Sequence, residues 1–425
     1  MAREMKNSGI EWIGEIPVGW EMIKFKYIFD IIGGNGFPDI LQGTNNGDFP
    51  FCKVSDINGD NIYINKANNY VSFATVNKYK FNIIPKHSII LAKIGAALQK
   101  NHRKINIVEC CIDNNTQALA LKRNDDIKYL YYLSKYIDMG WFDNKGTIPS
   151  INNSKLLNFF VPDVYYEEQQ KIASFLDQKC TEIDAVIEKT KATIEEYKKL
   201  KQSVITEAVT KGIRGNRPMK DSGIEWIGEI PVGWDVKVAF QLFKQVKNKN
   251  TRLVEKNLLS LSYGKIKRKN IDTVGGLLPE SFDGYNIIEA NDIVLRLTDL
   301  QNDHTSLRVG LATERGIVTS AYITLRNQSR NVPLYLYYYL HTFDICKGFY
   351  GMGAGVRQGL NWDGLKLLKI VLPSIEEQLE ITHFLERKCA EIDTLIAKKT
   401  TLLSELETYK KSLIYEYVTG KKEVK

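Results

Sequence analysis

Cysteine is sparse and badly spaced for chemistry. The 425-residue chain has six, at Cys52, Cys110, Cys111, Cys180, Cys346 and Cys389, and none forms a C-x-x-C pair. That spacing excludes a zinc ribbon and argues against a disulfide framework, so reduced thiols in the cytoplasm are expected. No run approaches the roughly 20 apolar residues of a membrane span, so no membrane role is expected. Residues 1–19, with Glu4, Glu11 and Glu15, lack the apolar core of a secretory leader. No G-x-x-x-x-G-K-[ST] phosphate loop, no G-x-S-x-G elbow and no N-P-P-Y or D-P-P-Y sequence occurs. The five histidines (His87, His102, His304, His341, His383) make no i, i+4 ligand pair. Two partial matches fail on context. Phe349-Tyr350-Gly351-Met352-Gly353 has an F-x-G-x-G form but follows an aromatic run that reads as a helix, where a cofactor loop should follow a strand. Pro162-Asp163 with Glu168 and Lys171 is misspaced for a nuclease, and Pro373-Ser374 in the equivalent place lacks the acid. No catalytic, cofactor or metal residue is therefore assigned.

What is present is a duplication. Residues 5–20 (MKNSGIEWIGEIPVGW) recur as residues 219–234 (MKDSGIEWIGEIPVGW), identical at 15 of 16 positions at an offset of 214. Residues 168–189 recur as 377–398 at an offset of 209, and Ser203, Ile205, Glu207, Val209 and Thr210 return as Ser412, Ile414, Glu416, Val418 and Thr419. Between these frames, residues 21–161 and 235–372 share only landmarks: the runs at 129–136 and 336–343, and Gly146 and Asn152 against Gly355 and Asn361. Two like frames thus carry two unlike inserts. Alternating stretches at 287–297 and 317–325 suggest strands, and the aromatic runs suggest helices.

Residues 167–210 contain neither Pro nor Gly. Apolar residues at Ile172, Leu176, Ile183, Val186, Tyr197, Leu200 and Val204 follow heptad-like steps. The second copy offers Ile381, Leu385, Ile392, Leu395, Leu402, Leu406, Tyr409 and Leu413, with Lys179 and Lys388 interrupting the two stripes. Ser374-Ile375-Glu376-Glu377 has the form of a capping box, and Pro162 and Pro373 precede the two starts. Each helix of about 44 residues would reach roughly 65 Å. An apolar stripe that long needs a partner, and the head-to-tail order of the halves favours antiparallel pairing. The expected fold class is α+β: two similar α/β-mixed domains separated by two long antiparallel coiled-coil helices, with a pseudo-two-fold repeat. The expected divisions are 1–161, the helix 162–212, 213–372 and the helix 373–425.

Charge follows the same division. The inserts are basic, at +5 for residues 21–161 and +7 for residues 235–372, whereas the rest of the chain is net −4. Basic inserts suit phosphate contacts. Local clusters supply candidate DNA-binding residues: Lys100, Asn101, His102, Arg103 and Lys104; Lys265, Lys267, Arg268 and Lys269; and Arg357 with Gln358. Arg suits guanine and Gln or Asn suits adenine in the major groove.

Several motifs together resemble the specificity subunit of type I restriction-modification enzymes. They are the SGIEWIGEIPVGW opening of each half, the E-E-Q start of each long helix, the F-L-x-x-K-C-x-E-I-D core, and the V-T-x-G-like ends at Val209–Gly212 and Val418–Gly420. The likeness spans the chain but is strong only in the frames. It implies two target recognition domains, each reading one half of a divided site on double-stranded DNA, with the helices fixing the gap. It implies no catalysis by this chain. Two modification subunits would bring S-adenosylmethionine and methyltransferase chemistry, and restriction subunits would bring ATP- and Mg-dependent translocation and cleavage. The alternatives are a coiled-coil scaffold with no nucleic-acid role, marked by absent or salt-independent DNA binding, and a self-contained methyltransferase or nuclease, marked by activity of the chain alone.

Overall fold

The computed structural model describes residues 3–59, 61–271, 281–300, 307–352 and 359–424. The chain forms two compact units: residues 1–190 with 401–425, and residues 191–400. The boundaries fall inside the two long helices, Tyr166–Lys211 and Ile375–Val418, not at the domain edges expected from chain order. Each unit therefore takes the start of one long helix and the end of the other.

In the first unit, the opening segment forms a hairpin of Met5–Asn7 and Glu15–Pro17. The second unit repeats it with Met219–Asp221 and Glu229–Pro231. The one position that differs between the two sixteen-residue copies keeps its role. Asn7 Oδ1 accepts from Gly9 N at 2.9 Å, and Asp221 Oδ1 accepts from Gly223 N at 2.9 Å. Either side chain closes the same local turn.

The inserts also share a plan that their sequences hide. In the first unit the main sheet runs Phe29–Gly33, Thr116–Leu121, Ile89–Ala92, Arg103–Asn106, with Tyr63–Ile64 added in parallel at the edge. In the second it runs Phe243–Gln245, Ile323–Asn327, Ile293–Leu295, Val309–Leu311. In both, the last of these four strands in the chain lies between the first and the second, and all neighbours are antiparallel. The tyrosine runs are helical, Ile127–Tyr136 and Pro333–Ile345. The stretch expected as one strand at 287–297 divides into Asn286–Ile288 and Ile293–Leu295 around Asn291, whose φ is 71°. The stretch at 317–325 likewise divides into Gly316–Val318 and Ile323–Asn327. Asn152 and Asn361, faint landmarks in sequence, are the N-caps of short helices; their side chains accept from Lys155 N and Gly364 N.

Helix pairing is antiparallel within each unit. In the first, Lys410 reaches Asp184 at 2.6 Å and Phe175 packs on Tyr417. In the second, Lys201 reaches Asp393 at 2.6 Å and Arg214 reaches Glu380 at 2.6 Å. Ile172, Leu176, Ile183, Ile381, Leu385, Ile392 and Leu413 are buried, and Tyr197, Val204, Leu402 and Leu406 are partly covered. Val186, Leu200, Leu395 and Tyr409 instead face out, at 47%, 48%, 42% and 55% exposure. All four occupy one heptad position, one residue short of the true seam. Cys180 and Ile187, with Ile183 between them, set the seam in the first helix, and Cys389 does so in the second. Steps of three and four continue from there through Thr190 and Ile194. Lys179 and Lys388 accordingly lie beside the seam, bridging Glu182 at 2.8 Å and Glu391 at 2.9 Å.

Pro162 and Pro373 are not equivalent. Pro162 sits inside the strand Phe160–Asp163, paired with Met22, whereas Pro373 follows the matching strand Lys369–Leu372. Val164 is the counterpart of Pro373, so the two helix entries have the same length. Ser374 caps the second helix by accepting from Glu377 N at 3.2 Å. The Glu377 carboxylate, which a full capping box would turn back onto Ser374, faces a tryptophan and an arginine.

Candidate nucleic-acid interface

Each insert is mounted on its frame by the same two clasps. In the first unit, buried Trp20 donates its indole N–H to Glu168 at 2.9 Å. Arg3 lies over the indole at 5.1 Å from the ring centre and pairs with Glu168 at 2.7 Å. In the second, Trp234 donates to Glu377 at 3.0 Å, and Arg217 lies 5.2 Å over the ring and 2.6 Å from Glu377. The second clasp is a buried glutamine. Gln169 accepts from Asp126 N at 2.7 Å and donates to Asp125 Oδ1 and Val164 O. Gln378 accepts from Val332 N at 2.9 Å and donates to Asn331 Oδ1 and Pro373 O. Each glutamine thereby fixes the entry to the tyrosine helix. Tyr129 and Tyr335 complete the mount, donating to Val418 O at 3.0 Å and Val371 O at 2.9 Å. These groups explain the misspaced acids: Glu168 belongs to the tryptophan clasp, and Asp163 pairs with Arg123 at 2.6 Å.

The first candidate cluster divides between surface and interior. Lys100 is exposed, just past the short helix Ala96–Gln99. Asn101, at φ 55°, accepts from Met139 N at 3.1 Å and from the Arg103 guanidinium. Arg103 is only 2% exposed, and its guanidinium donates to Ser134 O and to Ile137 O. It closes the end of the tyrosine helix onto the sheet, and burial lowers its pKa to about 10, which leaves it charged at neutral pH. Lys104 is buried and His102 partly so. Of the five, Lys100 is the one presented to solvent.

Sequence reasoning missed the neighbouring loop. Gly95 N donates to Pro149 O at 2.8 Å and Ile151 N to Lys93 O at 2.9 Å, which places the loop 144–150 beside the Gly95–Lys100 turn. That loop carries exposed Lys145 and Ile148. The available signal was Gly146, one of the shared landmarks. In the second unit the matching return is Leu360 N to Leu297 O at 2.9 Å. Arg357 and Gln358 lie outside the described residues.

The remaining cluster sits on a hairpin of Leu259–Ser262 and Lys265–Arg268. Lys265, Lys267, Arg268 and Lys269 are all exposed. Strand alternation puts Lys265 and Lys267 on one face and Ile266 and Arg268 on the other. Arg268 is held by Glu314, with Nε 2.7 Å from Oε1, so it is partly neutralised. The structure brings Lys265 and Lys267 together and separates them from Arg268.

Among the described residues no group of three or more His, Cys, Asp or Glu side chains is arranged to hold a metal. Residues 348–352 form a 3-10 turn directly after the tyrosine helix, not a strand-to-helix loop. All six cysteines are free thiols. Burial pushes the Cys111 thiol up to about 12, so it stays protonated. Among the described residues no helix is long and apolar enough to cross a membrane.

Comparison with known proteins agrees with this architecture. Residues 17–196 match the family described as type I restriction modification DNA specificity domain. The chain is 28% identical to the type I restriction enzyme MjaIX specificity subunit of Methanocaldococcus jannaschii over 303 residues, covering 67% of this chain and 65% of that one. It is 24% identical to the putative MjaX specificity subunit of the same organism, over 97% of this chain and 96% of that one. Among solved structures, a chain from work on complex assembly and conformational transition of the type I R-M system shares the fold at TM-score 0.68 and 13% identity, covering 95% of this chain and 98% of that one. The HsdS subunit from Thermoanaerobacter tengcongensis matches at TM-score 0.50 and 13% identity, covering 95% and 98%. Over residues 17–196 the chain thus matches the type I DNA specificity domain, and over most of its length it is similar to specificity subunits of type I restriction enzymes.

Proposed function

We propose that this chain is the DNA-recognition subunit of a type I restriction-modification complex. Each insert reads one half of a divided double-stranded site, and the paired helices set the gap between halves. One observation carries the reading: two units keep the same clasps and the same order of four strands while their basic inserts diverge. A scaffold has no need of two unlike basic heads on one frame. Phosphate contacts from exposed lysines would position each head, and base-edge contacts would specify.

The chain acts without catalytic residues of its own. The carboxylates that resemble a nuclease motif are engaged in the tryptophan clasp and in the Arg123 pair. Two modification subunits would supply S-adenosylmethionine chemistry, and restriction subunits would supply ATP- and Mg-dependent work. The test is co-expression with the neighbouring modification subunit in a methylation-free host, followed by mapping N6-methyladenine by single-molecule sequencing. A divided motif of fixed gap, present only with this chain, is expected. Co-purification of both subunits without any new motif would overturn the reading.

A further inference from the structure

We infer that the hairpin of Leu259–Ser262 and Lys265–Arg268 is a rigid reading finger of the second unit, with Tyr263 at its tip as a specificity-determining residue. This inference rests on the DNA-recognition reading above and adds to it a residue, a face and a single half-site.

The finger is built to hold its shape. Tyr263 and Gly264 form a two-residue turn with φ of 48° and 73°, closed by pairing of Ser262 with Lys265. Both central residues of such a turn need positive φ, which suits Asn-Gly or Gly-Gly and disfavours tyrosine. A Cβ at Gly264 would lie 3.1 Å from Leu307 Cβ, so that position has little room for a side chain. Beneath the ribbon, Gly310 of the sheet leaves space for Leu261 and Ile266; a Cβ there would lie 2.6 Å and 3.0 Å from their side chains. The hairpin is thus seated on the strand Val309–Leu311.

Tyr263 does not help to seat it. The residue is 79% exposed, and among the described residues its side chain has no hydrogen bond or ring contact. A bulky residue in an unfavourable backbone conformation, with no structural partner, is an outlier of the kind that accumulates at functional positions. Its surroundings fit nucleic acid. Lys265 and Lys267 share one face of the ribbon and have no acidic partner among the described residues, whereas Arg268 on the opposite face is held by Glu314. A two-stranded ribbon fits the major groove, where an aromatic tip meets a thymine methyl or a base edge and lysines reach flanking phosphates. Among the described residues the first unit shows no such ribbon: its corresponding strand, Arg103–Asn106, is bordered by the parallel Tyr63–Ile64. The finger therefore serves one half-site only.

The test uses the full chain with its modification subunit, and the same methylation map. Tyr263→Asn suits the turn better than tyrosine, so misfolding does not explain a changed motif. Its expected result is relaxed preference, by about 10-fold, at one or two positions of one half. The other half and the gap stay as they were. Lys265→Ala combined with Lys267→Ala should weaken binding across all sequences and lower the salt dependence of duplex binding by about two counterions, with the motif intact. A wild-type motif unchanged by Tyr263→Asn would overturn the finger and leave the DNA-recognition reading standing. Absence of any motif with the wild-type chain would overturn both.

Discussion

The two units differ most where they meet solvent and least where they meet the helices. The first has extra strands, including Cys111–Ile112 parallel to Phe49–Cys52, and a buried trio of Cys52, Cys110 and Cys111. The second has the projecting hairpin and a set of surface ion pairs, Arg268–Glu314, Arg315–Glu255 and Arg315–Glu289. Both hang from the same tryptophan–arginine–glutamate clasp and the same glutamine. The lesson is that a few buried polar contacts can hold a head in place while nearly all of its sequence changes. Orphaned buried polar groups are costly, so these contacts tolerate little substitution.

The equivalence of the clasps is most severely tested by removing the tryptophans. Trp20→Ala and Trp234→Ala should each cost about 3–5 kcal/mol. Hydrogen-exchange mass spectrometry should show lost protection confined to the unit that carries the change. A large cost at one and none at the other would break the comparison.

A smaller effect is expected at the glutamines. Gln169→Leu leaves Asp126 N without its partner, and Gln378→Leu does the same to Val332 N. Each should cost about 1–3 kcal/mol in chemical denaturation. The two values should agree, because both side chains are fully enclosed and make three bonds each.

Acid should separate the units. His341, on the tyrosine helix of the second unit only, stacks on Tyr337 and has its Nδ1 buried without a partner among the described residues. Burial, with a smaller effect from the Lys201 charge, lowers its pKa from 6.5 to about 4. The unfolded chain therefore takes up a proton before the folded chain does. The contribution of His341 is complete above pH 6.5 and is lost as pH falls toward 4. Allowing for its partial exposure, the loss is roughly 1–3 kcal/mol. Melting of the second unit followed from pH 7 to 4 should show this slope, and His341→Phe should flatten it.

Much of this frame was legible in the sequence because it is written twice. Trp20 and Trp234, Gln169 and Gln378, and the two proline-free helices stood out by repetition. The phase of the helix seam was harder to read. Val186 and Ile187 are adjacent and both apolar, so hydrophobicity alone did not choose between them and the stripe settled one position early; the seam that packs runs through Cys180, Ile183 and Ile187. The common strand order was invisible, since sheets form between segments far apart in sequence and accept many apolar residues. The candidate interface was legible only as composition. Arg103 and Lys100 look alike in a basic run, and only the fold turns one inward and the other out.

The exchange of helix ends also bears on how the protein is made. The core of the first unit includes Leu413, Ile414 and Val418, which pack with Ile13, Trp20 and Ile172. A ribosome that has released residues 1–190 has not yet made those partners. The apolar stripe beginning at Ile172 must wait through synthesis of about 200 further residues, roughly 10–40 s at 5–20 residues per second. During that interval the nascent first unit exposes an uncovered helix face, which only the later arrival of Leu413, Ile414 and Val418 can close.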